Sequence, residues 1–368
     1  MAPKRPRRAG VLDRTGSSPV QPCQSDLYAA LDLGTNSCRM LIARPQGAGF
    51  DVVDSFSKSV QLGMGLERSG KLSQASMSRT IHALRICQQK LRKHGVRKMR
   101  LVATEACRRA ENSAALLARA RQETGLELKV IPAQEEARLA VISCAPLVHP
   151  RTQNLLVVDI GGGSTELVWI DLSNVPVSKR RHAIMRLGED FKAPAPGAHA
   201  AQVVDWISVP LGVATLRDQF IDVQDDAARF ALMSCYFEDK LAGFSPYHTE
   251  WDPQKFQIVG TSGTVTTVAA SHLGLKRYDR TRVDGLTMTS GEIDSVIRSY
   301  LTMGPSGRRA DPRIGQDRQA LIMSGAAILQ ALLRCWPTDT LSVADRGLRE
   351  GLLFAQMSAD GALAAGVV

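Results

Sequence analysis

A short aspartate-containing turn occurs twice in this chain of 368 residues, and the repeat restricts the fold more than any other feature. Leu-Asp-Leu-Gly-Thr-Asn-Ser occupies 31–37, and Val-Asp-Ile-Gly-Gly-Gly-Ser-Thr-Glu occupies 158–166. Each copy lies between two apolar runs of strand length, a pattern typical of a β-hairpin. Two similar hairpins, 127 residues apart, predict two similar domains that face a common cleft.

The residues of these turns suit phosphate binding. Glycine allows the main chain to approach an anion closely, so that consecutive N–H groups point at phosphate oxygens. An aspartate beside the same anion is favourable when Mg²⁺ or a proton lies between them. Either turn alone fits a tight structural hairpin equally well, and the duplication favours a phosphate clamp. The predicted phosphate-binding residues are Gly34, Thr35, Asn36 and Ser37 in the first turn, and Gly161, Gly162, Gly163, Ser164 and Thr165 in the second.

The charge of the chain indicates an acidic partner. Forty-six Lys and Arg against 36 Asp and Glu give a net charge of +10, which suits nucleic acid, an anionic membrane surface or a phosphorylated small molecule. Residues 1–25 hold five basic side chains and one acid, so the rest of the chain carries +6. We expect 1–25 to be a disordered basic tail without a secretory signal, and we place the protein in the cytoplasm.

Several other classes of protein are excluded by composition. No stretch approaches the roughly 18 uninterrupted apolar residues of a membrane-spanning helix. The seven cysteines are odd in number and contain no Cys-x-x-Cys pair, and no two histidines are four residues apart. We therefore expect neither a disulfide framework nor a zinc site.

Five further segments accompany the two hairpins. They are Val-Ala-Thr-Glu-Ala-Cys-Arg-Arg-Ala-Glu-Asn at 102–112, Glu-Glu-Ala-Arg at 135–138, Ile-Ser-Val-Pro-Leu-Gly at 207–212, Val-Gly-Thr-Ser-Gly-Thr at 259–264 and Asp-Arg-Gly-Leu-Arg-Glu-Gly at 345–351. With these segments the sequence resembles the exopolyphosphatase and guanosine pentaphosphate phosphohydrolase (Ppx/GppA) family. That family belongs to the sugar kinase, actin and heat-shock chaperone superfamily, and the resemblance covers about residues 27–355.

The resemblance implies an α/β fold of two similar actin-like (ribonuclease H-like) domains with an active cleft between them. We place domain I at 26–133 and domain II at 134–350, with an inserted loop near 179–205 and a C-terminal helix and tail at 351–368. The family often continues into an additional helical region. We expect that region to be absent here, since the chain ends at Val368.

The resemblance also implies the chemistry. The reaction would be Mg²⁺-assisted attack of water on the terminal phosphate of inorganic polyphosphate, with guanosine pentaphosphate as the alternative substrate. Glu136 would be the general base and Arg108 the phosphate-binding arginine. Asp32, Asp159 and Glu166 would belong to the metal site. We expect a homodimer with no specific nucleic-acid partner and no membrane attachment, and stimulation by a monovalent cation stays open.

The residues around Glu136, the proposed base, also allow predictions that do not depend on the family resemblance. Pro132 suits the approach to a helix whose first turn carries the acids, where the helix dipole favours them. The i, i+3 spacing of Glu135 and Arg138 predicts an ion pair within that helix. The segment Pro132-Ala133-Gln134 stands where the family usually has Ser-Gly, so the loop that leads to the base is expected to differ.

Two other segments have two interpretations each. The basic run at 90–100 either ends a helix that begins near Ser76 or forms a track for polyphosphate. The turn at 260–264 either binds an anion at a helix N-terminus or is a tight strand-to-helix turn. We treat the arginines of 345–351 as mainly structural, and Arg109 as a surface residue.

Three rival functions remain at this point. One is an ATP-dependent kinase of the same superfamily, although nothing in the chain resembles the sugar-kinase acceptor motifs as well as Glu-Glu-Ala-Arg at 135–138 matches the phosphatases. Another is a non-catalytic regulator that binds polyphosphate or a nucleotide, which the altered loop at 132–134 would suit. The third is nucleic-acid binding, which is disfavoured because aromatic residues make up only 5% of the chain.

Overall fold

The structure, a computed structural model, describes residues 27–188, 191, 199–248 and 251–364. The predicted tail at 1–25 and most of the central part of the predicted insertion lie outside these residues. Within the described residues the chain forms two β-sheets surrounded by helices.

The first sheet has five strands in the order β3-β2-β1-β4-β5. The strands β1 to β3 form an antiparallel meander, whereas β4 and β5 run parallel to β1. The strands are β1 (Tyr28–Leu33), β2 (Ser37–Gln46), β3 (Gly49–Ser59), β4 (Lys98–Ala103) and β5 (Lys129–Val130).

The second sheet repeats this arrangement with one extra strand, in the order β10-β11-β9-β6-β7-β8. An antiparallel meander β6 to β8 is again followed by two strands, β9 and β11, that run parallel to the first strand of the meander. The strands are β6 (Asn154–Ile160), β7 (Thr165–Asp171), β8 (Gln202–Val209), β9 (Phe256–Thr261), β10 (Thr287–Met288) and β11 (Leu341–Ala344). Both predicted hairpins are therefore confirmed, and each provides the first two strands of its sheet in chain order.

Thirteen helices occur among the described residues. They are α1 (Leu66–Ser69), α2 (Gln74–Lys93), α3 (Glu105–Arg109), α4 (Ser113–Thr124), α5 (Ala133–Cys144), α6 (Arg180–Met185), α7 (Val213–Gln219), α8 (Asp226–Asp239), α9 (Gly263–His272), α10 (Arg280–Val283), α11 (Ser290–Ala310), α12 (Ile322–Cys335) and α13 (Leu348–Ala359). None of these helices has the length and apolar character needed to cross a membrane.

Helices cover both faces of the first sheet, because apolar side chains along a strand point alternately to one face and to the other. Leu31 and Leu33 of β1 pack toward the helix α2, whereas Tyr28 and Ala30 pack toward α13. The helices α13 and α5 approach so closely that a Cβ on Gly351 would lie 2.1 Å from the carbonyl oxygen of Leu139. The other side of α5 packs on the second sheet. Together, α5 and α13 form the layer between the two sheets.

The predicted domain limits can be placed on these elements, and they stay predictions. The limit between 133 and 134 falls at the first turn of α5, and the limit between 350 and 351 falls inside α13. The described part of the segment 179–205 contains α6 and the start of β8. Ile184 of α6 lies in the core against α5, so this part of the predicted insertion packs onto the protein.

Candidate active site

The two aspartate turns have the same local structure. In each turn a glycine N–H donates to a serine carbonyl three residues later, from Gly34 to Ser37 and from Gly161 to Ser164, both at 2.9 Å. Asp32 and Asp159 occupy corresponding positions near the ends of β1 and β6. Similar sequence patterns thus produce the same hairpin twice.

The two turns also lie against each other. A Cβ on Gly162 would lie 3.1 Å from the backbone nitrogen of Asn36, and a Cβ on Gly163 would lie 2.4 Å from the Oγ1 of Thr35. A side chain on Gly162 or Gly163 would crowd the first turn, so the contact between the turns explains these two glycines, whereas a Cβ on Gly161 would lie 2.9 Å from the carbonyl oxygen of Ser164 in its own turn. The Oγ1 of Thr35 is buried and has no hydrogen-bond partner among the described residues.

A cavity of about 200 Å³ opens where the two turns meet. A buried donor without a partner, at Thr35, lines it, as expected where a polar ligand binds. Of the residues predicted from the sequence, the cavity wall contains Asp32, Gly34, Thr35, Asn36, Ser37, Glu136, Asp159, Gly161, Gly162, Gly163 and Ser164.

Glu136 lies in the first turn of α5 and reaches the cavity from the layer between the sheets. The Nη1 of Arg108 donates to its Oε2 at 2.7 Å. Burial raises the pKa of Glu136 well above its usual value, the charge of Glu166 adds to this rise, and Arg108 opposes it. A carboxylate with a raised pKa in a phosphate-sized cavity has the properties of a general base.

Arg108 connects Glu136 to a second carboxylate. Its Nε donates to the Oε2 of Glu105 at 3.0 Å, and its Nη1 also donates to the carbonyl of Ile131 at 3.0 Å. The Nη2 lies 2.8 Å from Glu105 but makes no hydrogen bond of good geometry among the described residues. Arg108 therefore orients Glu136 and keeps one N–H group unused. It does not itself line the cavity.

The predicted ion pair between Glu135 and Arg138 inside α5 was wrong. The carboxylate of Glu135 accepts from Arg100 of β4 at 2.6 Å, whereas the Nη1 of Arg138 is directed to the carbonyl of Leu187 at 3.5 Å. Sequence spacing identifies neighbours on a helix, but the guanidinium of Arg100 reaches the carboxylate of Glu135 from strand β4. Glu135 and Glu136 thus point to different surroundings, as their difference of about 100° around the helix predicts.

The three predicted metal ligands divide into two groups. Asp32 and Asp159 line the cavity, whereas Glu166 is buried behind it and accepts from the Oγ of Ser208 at 2.9 Å. Burial and the charges of Glu136 and Asp32 raise the pKa of Asp159 to about 8, and burial also raises the pKa of Asp32. Nearby like charges of this kind favour a bound cation.

No three acidic, His or Cys side chains of the described residues form a complete metal cage. Mg²⁺ usually takes only one or two carboxylates and fills its remaining positions with water and substrate phosphates. Asp32 and Asp159 therefore fit such an ion, and Glu166 fits it less well because it does not reach the cavity. Thr165 also lies outside the cavity wall, since its Oγ1 donates to the carbonyl of Leu211 at 2.8 Å.

Residues 41–359 match the sequence profile of the Ppx/GppA phosphatase family. The chain belongs to this family. The family resemblance expected from the sequence is thereby confirmed.

Individual Ppx/GppA relatives agree with this result. A guanosine-5'-triphosphate,3'-diphosphate pyrophosphatase of Photobacterium profundum is 26% identical over 352 residues, which cover 93% of this chain and 60% of the relative. The chain thus spans about three fifths of the length of that relative. The crystal structure of the Aquifex aeolicus Ppx/GppA family member is 28% identical, with a TM-score of 0.70 over 91% of this chain and 98% of its own. An exopolyphosphatase-like protein is 26% identical, with a TM-score of 0.74 over 89% of this chain and 97% of its own. The expected two-domain α/β fold is confirmed by these similarities.

The cavity of this Ppx/GppA chain also contains residues that sequence reasoning missed. Arg39 of β2, Arg349 of α13 and Arg318 all line it. Burial and the neighbouring Arg349 lower the pKa of Arg39, and the charge of Asp32 opposes this effect. Arg346 and Arg349 of the segment 345–351 both line the cavity, and Arg346 also has a structural role because it pairs with Asp284.

The turn at 260–264 lies at the cavity and is strained. Ser262 has a φ of 144°, and its Oγ accepts from the N–H groups of Thr264 and Val265 at the start of α9. Its neighbours Thr261, Gly263 and Thr264 share the cavity wall. The turn is thus both a strand-to-helix connection and a part of the site, so the two interpretations do not exclude each other.

Basic side chains of the run at 90–100 form contacts with a carboxylate away from the cavity. Lys90 and His94 lie 2.8 and 3.0 Å from the carboxylate of Asp54. The helix before it, α2, extends over Gln74–Lys93, as predicted from Ser76 onward. None of these basic residues lines the cavity, and a polyphosphate track along them gains no support. Arg109 is exposed, as predicted, and pairs with Glu67.

Proposed function

We propose that this protein is a hydrolase of phosphoric anhydrides that removes a terminal phosphate group from a polyphosphorylated substrate. The observation that carries the proposal is the position of Glu136 in a cavity between two glycine turns, with Arg108 bound to its carboxylate. Membership of the Ppx/GppA phosphatase family supports the same reaction class.

In the proposed reaction the turn amides and the arginines of the cavity bind the phosphates. Glu136 accepts a proton from a water molecule while the water oxygen attacks the terminal phosphorus, and the bond to the bridging oxygen breaks. Arg108 fixes the orientation of the carboxylate from behind the cavity wall, where it also contacts Glu105. The donors are arranged in advance, so they stabilise the charge of the transition state without reorganisation.

The proposal includes Mg²⁺ held by Asp32 and Asp159. Such an ion would neutralise charge on the substrate phosphates and would restore low pKa values to the two carboxylates. A contribution from Glu166, an activating monovalent cation, a homodimer and a cytoplasmic location stay predictions.

Two substrates fit the site. The relative from Photobacterium profundum is named for guanosine pentaphosphate, which favours that nucleotide. Against this, the described wall of the cavity contains no aromatic ring on which a base would stack, which favours an inorganic chain. Both substrates end in the same phosphoryl group, so the chemistry assigned to Glu136 does not depend on the choice.

The test is orthophosphate release from short polyphosphate, long polyphosphate and guanosine pentaphosphate, measured side by side with Mg²⁺. Glu136→Gln should lower the rate by about 10²- to 10⁴-fold, the usual contribution of a general base, and should leave substrate binding largely intact. Glu135→Gln is the matched control, because it changes the adjacent carboxylate, which binds Arg100 outside the cavity. Equal rates in the two variants would refute Glu136 as the base. Absence of phosphate release from the parent protein with every substrate would favour a non-catalytic binding role.

A further inference from the structure

A second cavity, of about 410 Å³, lies beside the first one and shares two of its helices. Helix α7 begins at Val213 in the wall of the first cavity and presents Arg217 to the second. At the start of α12, Ile322 lines the first cavity, and Met323 and Ser324 line the second. The two cavities are therefore separated by little more than one helix.

The second cavity is strongly basic. Its wall contains four arginines, Arg217, Arg229, Arg308 and Arg309, and its one described carboxylate is Asp226. Asp226 is already paired, because the buried Arg308 donates to its Oδ1 at 2.8 Å. Arg308 also donates to the carbonyl of Tyr300 at 2.7 Å. Arg217 is neutralised outside the wall by the adjacent Asp218, at 2.6 Å.

The other two arginines keep their charge available. Arg229 donates from its Nε to the carbonyl of Val223 at 2.7 Å, and Arg309 donates to the Oγ of Ser306 at 3.3 Å. Neither forms an ion pair with a carboxylate in the part of the chain that the structure describes. Two guanidinium groups without anionic partners, in a cavity of this size, match the non-bridging oxygens of neighbouring phosphates.

We propose that this second cavity is an anion site that binds an oligophosphate group, either an inorganic chain or the phosphates of a nucleotide. The pair of the buried Arg308 and the partly buried Asp226 forms its base, and Arg229 and Arg309 provide the ligand contacts. Its ligand lies one helix away from the catalytic cavity. The site does not depend on hydrolysis, so it goes beyond the proposed reaction.

Calorimetric titration of the full chain tests the proposal, with tripolyphosphate and GTP as separate titrants. The Glu136→Gln background keeps the titrant from being consumed. The double variant Arg229→Ala/Arg309→Ala should show one binding event fewer than the background protein, or a dissociation constant for that event at least about tenfold higher. Loss with both titrants assigns recognition to the phosphates, and loss with GTP alone assigns the site to a nucleotide.

The matched control is Arg298→Ala/Arg334→Ala, which removes the same charge from α11 and α12 outside the cavity. Arg298 pairs with Asp294, and Arg334 pairs with Glu238. The control should retain every binding event. The proposal is overturned when the double variant binds both titrants as the background protein does, or when the control loses the same event. A failure of Glu136 as the base would appear as phosphate release during the titration, and the difference between the double variant and the control would still decide whether the second cavity binds the anion.

Discussion

Gly212 offers a sharp test of how the second phosphate turn is held in place. It precedes helix α7, and its φ of −111° and ψ of −173° are extended values that any residue adopts. An alanine there meets no backbone strain, but its Cβ would lie 2.5 Å from the carbonyl oxygen of Gly161 and 2.6 Å from the nitrogen of Gly163. These contacts are with the backbone of the turn itself, so no side chain can rotate away.

The size of the effect follows from the distances. Ordinary contacts of a Cβ begin near 3.4 Å, so the turn or the start of α7 must move by close to 0.9 Å. Such a movement strains the hydrogen bonds from Val213 to Gly161 and from Ala214 to Gly162, both 2.9 Å. Overpacking of this kind costs about 1–3 kcal/mol, and a displacement of about 1 Å at a reacting site costs about 10²-fold in rate.

Gly212→Ala should therefore unfold at a lower denaturant concentration and release phosphate about 10²-fold more slowly than the parent protein. Denaturant unfolding and phosphate release measure the two effects. Gly243→Ala is the control, since no atom lies within 4 Å of its added Cβ. A Gly212→Ala protein as stable and as active as the control would refute the rigid contact. A destabilised but fully active protein would remove the second turn from the catalytic site.

Three further predictions concern other parts of the same framework. Gly351→Ala should destabilise the protein strongly, because its Cβ would lie 2.1 Å from the carbonyl oxygen of Leu139 where α13 crosses α5; a normal unfolding midpoint would contradict this. In the presence of chelator, Asp159→Asn should gain stability over the parent as the pH rises from about 4 toward 8. Because the pKa of Asp159 is raised in the folded protein, the parent's free energy of unfolding falls over this pH range, by about 1.4 kcal/mol for each unit of pKa shift. A difference in unfolding free energy between variant and parent that is flat between pH 5 and 8 would refute the shift. Arg39→Gln should raise KM for tripolyphosphate several-fold more than Glu166→Gln does, because Arg39 lines the cavity and Glu166 does not; equal KM values would remove Arg39 from substrate binding.

The parts of the site that sequence predicts are those that local patterns determine. Alternating apolar residues on both sides of a glycine turn define a hairpin, and the position of the aspartate within it fixes which end of the strand it occupies. Asp32, Asp159 and the two turns were predicted in this way, and all of these predicted residues except Thr165 line one cavity. The contact between the turns was not predictable, because it depends on how α5 and α13 pack between the sheets.

Contacts made across the fold were not visible in the sequence. Arg349 lies in a segment whose arginines were interpreted as structural, and only the packing of α13 on the first sheet brings it to the cavity. The partner of Glu135 was missed for the same reason, because Arg100 precedes it by 35 residues and reaches it from β4. A helix pattern identifies neighbours three or four positions away, and a strand that packs on the helix can provide a better partner.

Arg39 is different, since a signal for it was present. Asp159 and Glu166 are register partners across the second hairpin, and the same spacing of seven residues in the first hairpin joins Asp32 to Arg39. The duplication therefore places a guanidinium where the other copy has a carboxylate. Two identical turns facing each other would present the same charge to both ends of a phosphate chain. Arg39 lines the cavity whereas Glu166 is buried away from it, so the exchange gives the first hairpin a cationic group at the site that the second hairpin lacks.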